Sequence, residues 1–139
     1  MKSISYIELK ILSEQRLKEA TILLENKQYD GCIYLAGYVI ELALKARICK
    51  ILDLDTFPDY PSFKTHKYDD LITLSGLEKA FDNERKNSAF NKNWVKFSNW
   101  NVSIRYSTMS TNNEKIAKEM ISALVTDNNG ILTWIKERW

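Results

Sequence analysis

Apolar positions recur along this chain at helical spacing, and the longest unbroken run falls between Asp30 and Leu52, DGCIYLAGYVIELALKARICKIL. Between Cys32 and Leu44 only Glu41 is charged, and apolar residues occupy every face of the implied helix. A helix apolar all round is either buried in a bundle or inserted in a membrane. This run is shorter than the roughly 18 residues a span requires, and Lys45, Arg47 and Lys50 follow directly, so it reads as a central core helix. Asp30 is the expected N-cap. Ahead of it, Ser5-Tyr6-Ile7-Glu8 fits a capping box with Ile4 and Leu9 as staple. That predicts a first helix from Ser5 to Asn26 with Leu9, Leu12, Leu17, Ala20, Leu23 and Leu24 inward. The short link from Asn26 to Tyr29 makes the two helices an antiparallel hairpin.

Beyond Leu52 the pattern breaks at Asp53–Thr65, a loop with Pro58 and Pro61 whose Phe57, Tyr60 and Phe63 are expected to pack over the bundle. Thr65 is the expected cap of a third helix to Leu74, ended by Ser75-Gly76. A further helical piece runs from Leu77 towards Lys86. Phe90, Trp94 and Phe97 form an i, i+4, i+7 stripe in a helix from Ser88 to Asn99, and read as core. Trp100 to Ser110 is Ser-, Asn- and Thr-rich and reads as a loop. Thr111-Asn112-Asn113-Glu114 is a second capping box. Ile116, Met120, Leu124, Ile131 and Ile135 then keep one phase across Asp127-Asn128-Asn129-Gly130, which predicts one long closing helix with a weak middle. The sum is a single all-α domain over residues 1–139, an up-and-down bundle of four to six helices around a central hydrophobic one.

Composition adds limits. A length of 139 residues, 45% hydrophobic and 27% charged, suits an ordinary soluble globular domain. No signal-like apolar segment precedes Glu8 and Lys10, so a cytoplasmic setting is expected. Cys32 and Cys49 lie on one helix about 25 Å apart, too far for a disulfide, and read as buried thiols. One histidine and two separated cysteines give no zinc-ligand spacing. There is no phosphate loop and no serine elbow, so no metal or cofactor is expected.

Three places carry candidate chemistry. Tyr34, Tyr38, Glu41 and Lys45 align as a polar stripe on the central helix. Glu41 and Lys45 read either as a local ion pair at the core rim or as part of a cleft or dimer seam. Lys64, His66 and Lys67 form a basic group at a predicted helix start, where backbone N–H groups favour anions. His66 reads as a tie for the preceding loop, with ligand contact or catalysis as alternatives. From Arg85 to Asn113 there is no acidic residue, while Arg85, Lys86, Lys92, Lys96 and Arg105 are interleaved with Trp94, Phe97, Trp100 and Tyr106. Cations that neutralise phosphates and rings that stack bases hold single-stranded nucleic acid, though a solvated face has the same composition. Arg105, Tyr106 and Trp100 lead the site candidates, followed by His66, Lys64 and Lys96, then Glu41 and Lys45.

Taken together, YDGCIYLAGYVIELALKARI, KTHKYDDLITLSGL, WNVSIRY and the closing ILTWIKERW resemble the HEPN domain family, in the same order and over nearly the whole chain. The resemblance implies a compact helical bundle, commonly a homodimer, in prokaryotic toxin–antitoxin and defence systems. Many members work beside a small nucleotidyltransferase, some cut RNA, and others bind nucleotide or RNA. The cutting members resemble one another in an Arg and a His with four to six residues between them. In their metal-independent reaction the ribose 2′-OH attacks the adjacent phosphate, the histidine moves protons and the arginine steadies charge. Arg105 matches the arginine, but Ser110, Thr111 and Asn112 stand at the histidine positions. The resemblance therefore implies a module that binds nucleotide, RNA or a nucleotidyltransferase without cutting. The alternatives are a ribonuclease toxin built on Arg105 and His66, and a dimerisation or protein-interaction module with no nucleic-acid role.

Overall fold

A computed structural model describes residues 3–101 and 113–139. The readings placed on Arg105, Tyr106 and Thr111 lie outside the described residues, as does most of the predicted 100–110 loop. The described chain is helical with no strand: α1 (Tyr6–Glu25), α2 (Tyr29–Ile51), α3 (Tyr68–Leu74), α4 (Glu78–Glu84), α5 (Ser88–Val95), α6 (Asn113–Val125) and α7 (Ile131–Lys136). One turn of 3₁₀ helix, Pro61–Phe63, sits in the loop between α2 and α3.

Helix α1 starts where its cap predicts, with the Glu8 amide donating to Ser5 Oγ at 3.0 Å. It packs antiparallel along α2 for most of its length. The turn between them needs a left-handed residue, and Lys27 takes it at φ 61°. Asp30 is not the cap of α2. The helix begins one residue earlier, flanked by Gln28, and Asp30 lies in its first turn, accepting a hydrogen bond from the Asn113 side-chain amide.

Helix α2 is the centre of the bundle, contacting α1, α3, α6 and α7. Cys32, Ala36, Val39, Ile40, Ala43, Ile48 and Cys49 are wholly buried on it. Burial pushes the Cys32 thiol up to about 11. None of the described helices is long and apolar enough to cross a membrane. Phe90, Trp94 and Phe97 enter the same core, as their stripe predicts, although α5 ends at Val95 rather than Asn99.

Two further expectations are corrected. Thr65 does not cap α3: the helix starts at Tyr68, and Thr65 Oγ1 instead accepts from the Lys67 amide and donates to Asp70 Oδ2 at 2.8 Å. The closing helix is also two helices, α6 and α7. At Gly130 the backbone is extended, and a Cβ there would lie 2.6 Å from the carbonyl oxygens of both Leu124 and Thr126. Asn93 and Asn87 donate to the Asn129 carbonyl and side chain, holding the turn against α5. The apolar phase survives because both pieces face one core. This break raises the helix number among the described residues to seven.

Candidate functional site

The site grows from the one carboxylate α2 carries into the core. Glu41 is 2% exposed, and an ionised group so placed needs partners. Two hydrogen-bond donors supply them. Lys45, one turn on, donates from Nζ to Glu41 Oε2 at 2.9 Å. His66 arrives from the loop before α3 and sets Nδ1 3.1 and 3.0 Å from the two carboxylate oxygens. With the carboxylate accepting, Nδ1 carries the proton and Nε2 is the nitrogen left to face outward. The His66 side chain is 54% exposed. An anchored imidazole with an open far edge is the outcome.

Tyr68 completes the mount. Its hydroxyl donates to the Gly37 carbonyl at 2.8 Å, and burial, then the nearby Glu41 charge, pushes the phenol well above its usual range. Trp100 stacks on the Tyr68 ring, 5.7 Å between centroids and 18° between planes. Its indole lies directly over Gly37: a Cβ there would sit 1.9 Å from Trp100 Cε2. Glycine in the middle of α2, at a cost of about 1 kcal/mol against Ala, is thus the notch into which Trp100 docks. Trp100 Nε1 donates to the Ile33 carbonyl at 3.1 Å, and Tyr38 meets its ring edge-on at 5.2 Å. The polar stripe foreseen on α2 is therefore divided. Tyr34 and Tyr38 brace Trp100, while Glu41 and Lys45 hold His66.

Residues 64–66 form a ridge between two clefts. On one side lies a polar cleft of about 770 Å³, lined by Lys67, Asp69, Arg85, Ser98, Trp100 and Asn101 besides the ridge itself. On the other lies a mainly apolar cleft of about 330 Å³, walled by Ile4, Leu9, Leu42, Phe57 and Phe63, with Lys45 inside it. The second exists because residues 4–6 pair with residues 55–57. Tyr6 N donates to the Asp55 carbonyl and Phe57 N to the Ile4 carbonyl, both at 2.8 Å, and this roofs the space above α2.

The structure thus brings together His66, Lys64 and Trp100 on one cleft, and His66, Glu41 and Lys45 in direct contact. Lys96 is elsewhere, beside Ile33, Glu119 and the other side of Trp100. Trp100 is only 8% exposed, so it offers a ligand a ring edge rather than a face. Arg85, Ser98 and Asn101 on the polar cleft, and the Phe57–Phe63 cleft, were not among the site candidates. Of these, Arg85 alone carried a signal, as the first cation of the acid-free stretch. Among the described residues no cluster of His, Cys, Asp and Glu has the arrangement of a metal site.

These features sit on a helical bundle of a recognisable class. The chain belongs to the HEPN domain family, whose profile matches residues 9–138. That family is generally tied to nucleotides and RNA, and its domains often dimerise. No curated protein and no solved structure matches the chain significantly.

Proposed function

We propose that this HEPN domain is a module that binds single-stranded RNA or nucleotide in the polar cleft beside the Lys64–His66 ridge. The observation that carries the reading is the His66 ring, fixed by buried Glu41 and half exposed next to Lys64, Lys67 and Arg85. Holding a ring in place beforehand lowers the ordering cost of a phosphate contact. Asp69 and Asp70 share the cleft, so it favours a few phosphates rather than a long duplex backbone. Anisotropy of a labelled single-stranded RNA measures the reading directly. Affinity should fall with rising salt, with a slope of about −0.7 per phosphate contacted. Lys64→Ala with Arg85→Ala should weaken it further, and an absence of binding at low salt ends the proposal.

The same anchored imidazole supports a second reading, a metal-independent ribonuclease in which His66 Nε2 takes the proton of the attacking 2′-OH. Its case is weakened by the missing histidine after Arg105. The binding reading expects labelled RNA to stay intact in chelator. Cutting that persists in chelator and vanishes in both His66→Ala and Arg105→Ala would establish the enzyme instead.

A further inference from the structure

The apolar cleft on the far side of the ridge is unused by the reading above, and its chemistry differs from that of its neighbour. Its walls are Leu42, Phe57, Phe63 and the exposed rim residue Ile4. Phe57 and Phe63 meet edge to face, 6.1 Å between centroids, so one ring wall is fixed by the other. Its volume of about 330 Å³ is at the lower end of the range for small-molecule sites, about 300–1,000 Å³. Ser3, Asp59 and the ridge residues supply polar groups at its edge, and Lys45 Nζ lies 5.4 Å from the Phe57 centroid as well as on Glu41. An ammonium has three donors and no acceptor. With one engaged by Glu41, it meets an occupant that carries a hydrogen-bond acceptor on a flat apolar body.

Lys64, Thr65 and His66 line both clefts. A group held on that ridge is therefore continuous with both spaces. Lys64 is paired with Asp59 at 3.0 Å, but both side chains are well exposed, and such a pair opens at little cost to a phosphate.

We propose that the apolar cleft receives one unstacked base of a bound RNA strand, with the adjoining phosphate against Lys64 and His66 and the strand continuing into the polar cleft. The proposal rests on the RNA-binding reading and names the subsite that reads a base. Proteins that grip single strands stack splayed bases on aromatic side chains, and the ring edges of bases carry the acceptors Lys45 would meet.

The test uses the whole chain with a tetranucleotide RNA and its fully abasic counterpart, which has the same phosphates. The wild type should bind the RNA about tenfold more tightly than the abasic strand, the scale of one aromatic stacking contact. Ile4→Trp fills the cleft from its rim and Phe63→Ala removes a wall. Both should shrink that ratio to about twofold while leaving the salt dependence intact, with helicity and melting confirming the fold. An undiminished ratio in both variants overturns the base subsite and leaves the RNA-binding reading standing. No binding of either strand at low salt overturns both.

Discussion

Along one flank of α2, Ile40 and Leu44 close against Ile72, Phe81, Ile131, Trp134 and Ile135, leaving a void of only about 10 Å³. Along the other, Gly37, Glu41 and Lys45 meet a tryptophan, a histidine and a loop, and two clefts open beside them. The first flank is continuous packing of apolar helix on apolar helix. The second is a row of specific partnerships, each filled by one residue from far along the chain. Stability should therefore be spread over both flanks, while the proposed RNA binding should depend on the second alone.

Leu44→Ala is the sharpest test of the closed flank and should cost about 3–4 kcal/mol in urea unfolding. At temperatures where the variant is folded, its RNA affinity should match the wild type. Gly37→Ala probes the notch. Its added methyl group cannot share space with the Trp100 indole, so overpacking of about 2–3 kcal/mol is expected, with a changed tryptophan emission spectrum. Glu41→Gln should cost about 2 kcal/mol, less than a fully buried pair because His66 is half exposed. Unlike Leu44→Ala it should also weaken RNA binding, since a neutral amide oxygen holds the imidazole less firmly than the carboxylate does. Equal effects of Leu44→Ala and Glu41→Gln on affinity would erase the distinction between the flanks.

Two smaller effects refine it. Trp134, on the closed flank, has a buried indole N–H without a partner among the described residues, whereas the indole N–H of Trp100 is satisfied. Trp134→Phe should stay within about 1 kcal/mol, and Trp100→Phe should cost more because it removes the indole hydrogen bond to the Ile33 carbonyl. The alkaline pH response follows in part from Cys32. Burial raises its thiol to about 11, so above the ordinary thiol range the unfolded chain loses a proton that the folded chain keeps. Stability should fall from about pH 9 towards pH 11, and Cys32→Ala should lessen that decline, with the buried Cys49 thiol and Tyr68 phenol acting in the same direction.

The parts of the molecule written in local pattern were legible beforehand. Ser5 and Glu8 give the start of α1, the run from Cys32 to Leu44 gives the central helix, and Phe90, Trp94 and Phe97 give a core stripe. The break between α6 and α7 was not, because apolar phase records which side faces the core and not whether the backbone between is continuous. Only the carbonyls crowding Gly130 reveal the interruption. The site was half legible. Glu41 announces a need for partners and finds Lys45 one turn away, but its contact with His66 spans 25 residues and leaves no periodic trace. The same holds for Trp100, whose seat is a glycine on a helix formed long before it in the sequence.

That seat bears on how the chain reaches its native state. The pairing of α1 with α2 closes only a short loop, so its contacts are cheap in chain entropy and can form early. Insertion of Trp100 into the gap at Gly37 requires closure of a far longer loop and should come after the main barrier. Substitutions at the helix pair should then slow refolding, whereas changes at Trp100 should mainly hasten unfolding.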